Sequence, residues 1–251
     1  MFRFLHKVWR ETPINRLKSY NQIDNHNNPI NHINIDNHNN VINPINIKDN
    51  TNHFTANSPI IKLVNFDSIN TMEQLHDYIH NYNGCEFKKT SNNTVISSGP
   101  LNAKLMIIGE APGQQEDLLG IPFVGESGEL LNKMLSAINI KREDCYITNP
   151  IYWRPPNNKK PSNQDIDNCV HMLYKQIEIL KPKVILLLGA VSLYSLFSDQ
   201  YKITAIRGNW LKYKDIEVIA TFHPAYILRM PKQKKLVFAD LLKLQNFYEN
   251  L

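Results

Sequence analysis

Glu110, Asn149 and His223 each stand at or just past the end of a short apolar run and offer a carboxylate, an amide and an imidazole. A carboxylate and an imidazole supply acid–base and electrostatic chemistry, and an amide donates and accepts hydrogen bonds at once. The first run, Leu105 to Ile108, breaks into Gly109-Glu110-Ala111-Pro112-Gly113, too rich in Gly and Pro to continue a strand or a helix. Glycines there let the backbone approach a ligand closely, and Glu116, Asp117 and Phe123 follow within one short loop. No Gly-Lys-Ser/Thr follows Gly113, so this is not a phosphate-binding loop. Taken singly, Asn149 reads as a turn cap, His223 before Pro224 as structural, Phe123 as core, and the acids as a solvated loop.

The elements that must position these groups follow from periodicity. Thr71-Met72-Glu73-Gln74 is a capping box, and Leu75, Tyr78, Ile79 and Tyr82 continue at helical spacing, predicting a helix that ends near Gly84. Ser127 to Ile138, about Asn163 to Leu180, Ala190 to Phe197 and about Lys234 to Tyr248 are further helices. Strands are expected at Leu105 to Ile108, Cys145 to Asn149, Val184 to Leu188 and Glu217 to Thr221. Their alternation with helices implies a parallel sheet with all strand ends along one edge, where Glu110, Asn149, Gly189 and His223 would sit.

The 251 residues are enough for one large domain or two small ones, but part of the chain falls outside any core. Residues 1–20 mix aromatics with Arg and Lys and suit a short amphipathic helix broken at Pro13; their role is not legible. Residues 21–57 are rich in Asn, Ile, His and Asp and hold an imperfect repeat, IDNHNNPIN and IDNHNNVINPIN, expected to be a disordered insert. Order should resume near Ile60 and run to residue 251. A net charge of +5 permits a polyanionic partner without demanding one. Cys85, Cys145 and Cys169 form neither a disulfide framework nor a Cys-x-x-Cys knuckle, so a reducing, cytoplasmic setting is expected. No apolar run is long enough to span a bilayer, and residues 1–20 lack the apolar core of a signal peptide.

GEAPG, GIPFVG, YITN, RPPNN and HPAYILR, in that order from Gly109 to Arg229, resemble the uracil-DNA glycosylase superfamily, most closely its family 4. The resemblance covers roughly Gly84 to the C-terminus and implies a three-layer α/β/α fold with a central four-stranded parallel sheet. It further implies a monofunctional enzyme that hydrolyses the N-glycosidic bond of uracil in DNA, leaving an abasic site for base-excision repair. Better-known members of family 4 hold an iron–sulfur cluster on four cysteines. Here Cys85 and Cys169 match two of those positions, while Tyr82 and Trp153 occupy the other two. Neither aromatic supplies a thiolate, so the expectation is no cluster and no other cofactor, as in a cluster-free branch.

The resemblance also assigns roles. Phe123 stacks on the base; Asn149 pairs with uracil O4 and N3–H; His223 stabilises the developing anion at O2; backbone of Glu110, Ala111 and Pro112 lines the base. Ala111 stands where some relatives place an Asp, so the water-positioning group is chosen on chemistry instead: Glu110 first and Glu116 second, each able to accept a water proton. Leu228 is the wedge that fills the gap left by the flipped nucleotide, and Arg229, Arg154 and Lys232 meet phosphates. Uracil-containing DNA is the expected partner, and the protein is expected to act as a monomer. Two other readings stand: a member with preference shifted to hypoxanthine or xanthine, since Gly113 stands where some relatives bear a bulky residue, and a non-catalytic DNA-binding protein on the same fold.

Overall fold

A computed structural model describes residues 66–251. Residues 1–20 and the Asn-rich stretch 21–57, with the helix and the disorder expected for them, lie outside the described residues. The strands are β1 (Ser97–Ser98), β2 (Leu105–Ile108), β3 (Cys145–Thr148), β4 (Val184–Leu188), β5 (Trp210–Tyr213) and β6 (Ile216–Thr221). The helices are α1 (Met72–Asn81), α2 (Gln114–Leu119), α3 (Glu126–Ser136), α4 (Asn163–Leu180), α5 (Ala190–Phe197), α6 (Ile203–Ile206), α7 (Pro224–Arg229) and α8 (Lys234–Tyr248).

The sheet has six strands in the order β1-β3-β2-β4-β6-β5, not the four expected. β3, β2, β4 and β6 are mutually parallel; β1 and β5 are antiparallel additions at the two edges. Both additions escape a periodicity argument for physical reasons. β1 has two residues, too few to show alternation, and β5 forms only because Trp210 to Tyr213 folds back on Ile216 to Ile219. All residues of β2, β3 and β4 are buried, which is why they read as unbroken apolar runs.

From β2 the chain steps one way to β3, then back past β2 to β4 and on to β6. Right-handed crossovers therefore put α2 and α3 on one face and α4 and α5 on the other, with α1 packed against α4. Residues in register share a face: Met106, Tyr146, Ile185 and Val218, then Ile108, Leu187 and Ala220, meet Leu75 and Ile79 of α1 and Ile166, Met172 and Leu173 of α4 in one apolar core. Thr71 caps α1, with Gln74 completing the capping box. That helix stops at Asn81, short of Gly84, because Tyr82 turns extended and its hydroxyl donates to the Asn168 carbonyl on α4.

Register also aligns the strand ends, since Ile108 lies opposite both Thr148 and Leu187, and Leu188 opposite Thr221. The ladder runs one residue further: Gly109 N–H donates to Thr148 O at 2.9 Å and Gly189 N–H to Thr221 O at 2.8 Å. Gly109, Asn149, Gly189 and the start of α7 thus share one edge.

Candidate active site

Asn149 follows β3 and is only 2% exposed; its side-chain Oδ1 has no hydrogen-bond partner among the described residues. A buried, unpaired amide oxygen costs stability, so its position points to a donor supplied from outside the chain. Gly109 allows the arrangement. A Cβ there would lie 2.4 Å from Asn149 Oδ1 and 2.6 Å from the Phe123 ring, so only glycine lets both pack against the end of β2.

Phe123 is buried and has φ +55°, a left-handed conformation that a bulky residue rarely adopts. Its ring lies 5.6 Å from that of His223, centroid to centroid. Helix α3, which starts just after Phe123, packs against α7, which starts just after His223, so the two rings are brought together by a helix contact.

His223 is the N-cap of α7: its Nδ1 accepts from Ala225 N–H at 3.2 Å. Burial, aided by the nearby Arg229 cation, pushes its pKa down to about 4. The ring is therefore neutral at pH 7, and with Nδ1 accepting, the proton sits on Nε2. Nothing in the order of residues could have fixed this tautomer; the cap fixes it.

Glu110 is half-buried, and desolvation raises its pKa, opposed by the charges of Lys160 and Arg229. Ala111 and Pro112 continue the same turn, Pro112 buried and Ala111 partly so. Glu116, the second candidate for positioning water, is otherwise engaged. Its carboxylate accepts from the backbone N–H groups of Gly113 (3.1 Å), Val124 (2.9 Å) and Gly125 (2.8 Å), which ties the two glycine-rich segments together. Both oxygens thus accept from backbone donors, and the carboxylate holds the loop that carries Phe123. Asp117 does similar work, accepting from Asn92 and Asn93.

At the outer rim, Leu228 is 44% exposed at the end of α7, flanked by exposed Arg229 and followed by exposed Lys232. Arg154 lies on the Pro-rich loop, where its Nε donates to Asn158 Oδ1 at 2.8 Å. Lys160, from the same loop, is close enough to act on Glu110; the lysine pair after RPPNN was its only signal in the sequence.

The uracil DNA glycosylase superfamily model matches residues 96–243. The chain is 40% identical to a type-4 uracil-DNA glycosylase of Thermotoga maritima, over 70% of this chain and 94% of the relative. It is 37% identical to that of Archaeoglobus fulgidus, over 69% and 92%, and 37% identical to that of Pyrobaculum aerophilum, over 64% and 86%. The chain belongs to the uracil-DNA glycosylase superfamily, within its type-4 group.

That placement overturns one expectation. The sequence predicts a cluster-free branch without a cofactor, yet the relatives just named are of type 4, the group known to carry an iron–sulfur cluster, so the family implies one. The donor set disagrees with a four-thiolate site. Cys85 and Cys169 are buried free thiols, whereas Tyr82 and Trp153 stack at 6.1 Å and 22°. Trp153 Nε1 donates to Thr94 Oγ1 at 3.1 Å. Among the described residues no three or more His, Cys, Asp or Glu side chains gather to hold a metal ion. Two thiols, a phenol and an indole do not fit four-thiolate ligation.

Proposed function

We propose that this protein excises uracil from DNA by hydrolysing its N-glycosidic bond, leaving an abasic site for base-excision repair. The observation that carries the reading is the buried Asn149 Oδ1 without a partner, facing the backbone of Gly109 and the Phe123 ring. Uracil N3–H is the donor that oxygen lacks, and the amide nitrogen then meets O4. Cytosine presents an acceptor at N3 and a donor at the 4-position, so it would leave both ends of the amide mispaired.

The target nucleotide must leave the stack to reach this edge. Phe123 then stacks on the flipped base, worth about 1–3 kcal/mol, while the backbone of Glu110, Ala111 and Pro112 lines its edge. Cleavage leaves negative charge on the base. Nε2–H of neutral His223 meets that charge at O2, already aimed by the Nδ1 cap bond. Glu110 orients the water and opposes positive charge on the sugar; a raised pKa makes it a better proton acceptor than a solvated carboxylate. Leu228 enters the gap in the duplex, and Arg229, Arg154 and Lys232 meet the phosphates.

Residues 60–251 make up the glycosylase domain in this reading, acting as a monomer in the cytoplasm. Among the described residues no helix is long and apolar enough to cross a membrane. The test is release of free base from matched oligonucleotides carrying U, hypoxanthine, xanthine or T, by the protein and its His223→Ala variant. Release of uracil that collapses in the variant is expected; DNA binding with no base released from any substrate would overturn the reading.

A further inference from the structure

Phe123 holds a left-handed backbone angle that its side chain disfavours, and it can do so only if its surroundings over-determine it. One side is Glu116, which accepts from Val124 and Gly125 N–H, the two residues after it. The other is Arg142, in the turn before β3. Its Nη2 donates to Pro122 O at 2.7 Å, and its Nη1 donates to Phe123 O at 3.0 Å and to Asn132 Oδ1 on α3 at 2.9 Å. The guanidinium is half-buried, so its planar fork binds both carbonyls with limited competition from water. Gly128 closes the third side: a Cβ there would come within 1.9 Å of Phe123 O, so α3 also presses on the carbonyl that Arg142 holds.

We propose that Arg142 is a positioning residue for uracil, acting through the Pro122 and Phe123 carbonyls to hold the stacking ring against Gly109 and beside His223. It touches no base and no reacting atom. Without its two backbone bonds Phe123 relaxes toward negative φ, and the ring leaves the wall it shares with Asn149 and His223. Stacking acts on bound uracil and on the transition state alike, so its loss weakens binding more than turnover. The inference rests on the uracil-excision reading above.

The experiment is a double-mutant cycle of Arg142→Ala and Phe123→Ala, with Arg142→Lys as the conservative partner. It reads KM and kcat on a uracil oligonucleotide, inhibition by free uracil, and Tm. Arg142→Ala should raise KM and the uracil inhibition constant roughly 10-fold with kcat nearly unchanged. In the Phe123→Ala background the same change should add almost nothing, and Arg142→Lys, which keeps one donor bond, should fall between. Equal effects in both backgrounds, or a lowered Tm with an unchanged inhibition constant, would overturn the inference. If Arg142→Ala does not fold, Arg142→Lys carries the same cycle. Wild-type protein that releases no uracil removes the functional reading and this inference with it; uracil release that Arg142 variants match removes the inference alone.

Discussion

Two aromatic corners of this fold are built to different ends. At the strand edge, Phe123 and His223 sit 5.6 Å apart, Phe123 on a left-handed backbone, beside a buried amide oxygen that no described residue satisfies. Against α4, Tyr82 and Trp153 sit 6.1 Å apart with their polar atoms engaged: the hydroxyl on Asn168 O, the indole N–H on Thr94 Oγ1. The first corner stores strain and unmet hydrogen bonding, the second contributes packing. Aromatic pairs alike in spacing therefore differ in what they leave unsatisfied.

The contrast breaks most sharply at Trp153, which is fully buried. Trp153→Ala should cost about 3–5 kcal/mol of stability in denaturant titration while kcat of the folded enzyme holds. A fall in kcat at unchanged stability would make the second corner functional after all. Next comes His223→Ala, expected to lower kcat by about 10²–10³-fold with little change in Tm. Asn149→Ala belongs beside it: excision should collapse while stability holds or rises, because a buried unpaired group is removed. A large loss of stability in Asn149→Ala would show that the amide is structural.

The pH profile sharpens the first corner further. Burial lifts the Glu110 carboxyl above its ordinary 4.5 and holds His223 down at about 4. As pH falls, Glu110 therefore protonates first, and kcat/KM should drop through its pKa while His223 is still neutral. Glu110→Gln should lower the rate and shift the remaining acid limb toward about 4; a limb that does not move would take Glu110 out of the water-orienting role. For stability the His223 sign is the reverse of a salt-bridged histidine. Its contribution is full above the unfolded value of 6.5 and is lost as pH falls toward about 4. The smallest effect is expected from deleting residues 21–57, which should leave Tm and excision close to those of the full chain; a large drop in Tm would assign that stretch a structural role.

What could be read from the chain was what local physics decides. Apolar runs between turn signals marked β2, β3 and β4, a capping box marked the start of α1, and 3.6-residue spacing marked α1 and α3, because these depend on residues a few positions apart. A parallel sheet followed from alternation of strand and helix, and that implied one shared edge for Glu110, Asn149 and His223, whereas the strand order came only with the fold. Tertiary structure decided the rest. The edge strands β1 and β5 exist through pairing with β3 and β6. The Nε2 proton of His223 depends on a cap bond, the duty of Glu116 on three backbone donors up to nine residues away, and the grip of Arg142 on carbonyls 19 and 20 residues earlier. A residue's type announces which bonds it can form, but only the folded chain, by bringing distant donors and acceptors within 3 Å or so, selects the ones it does form.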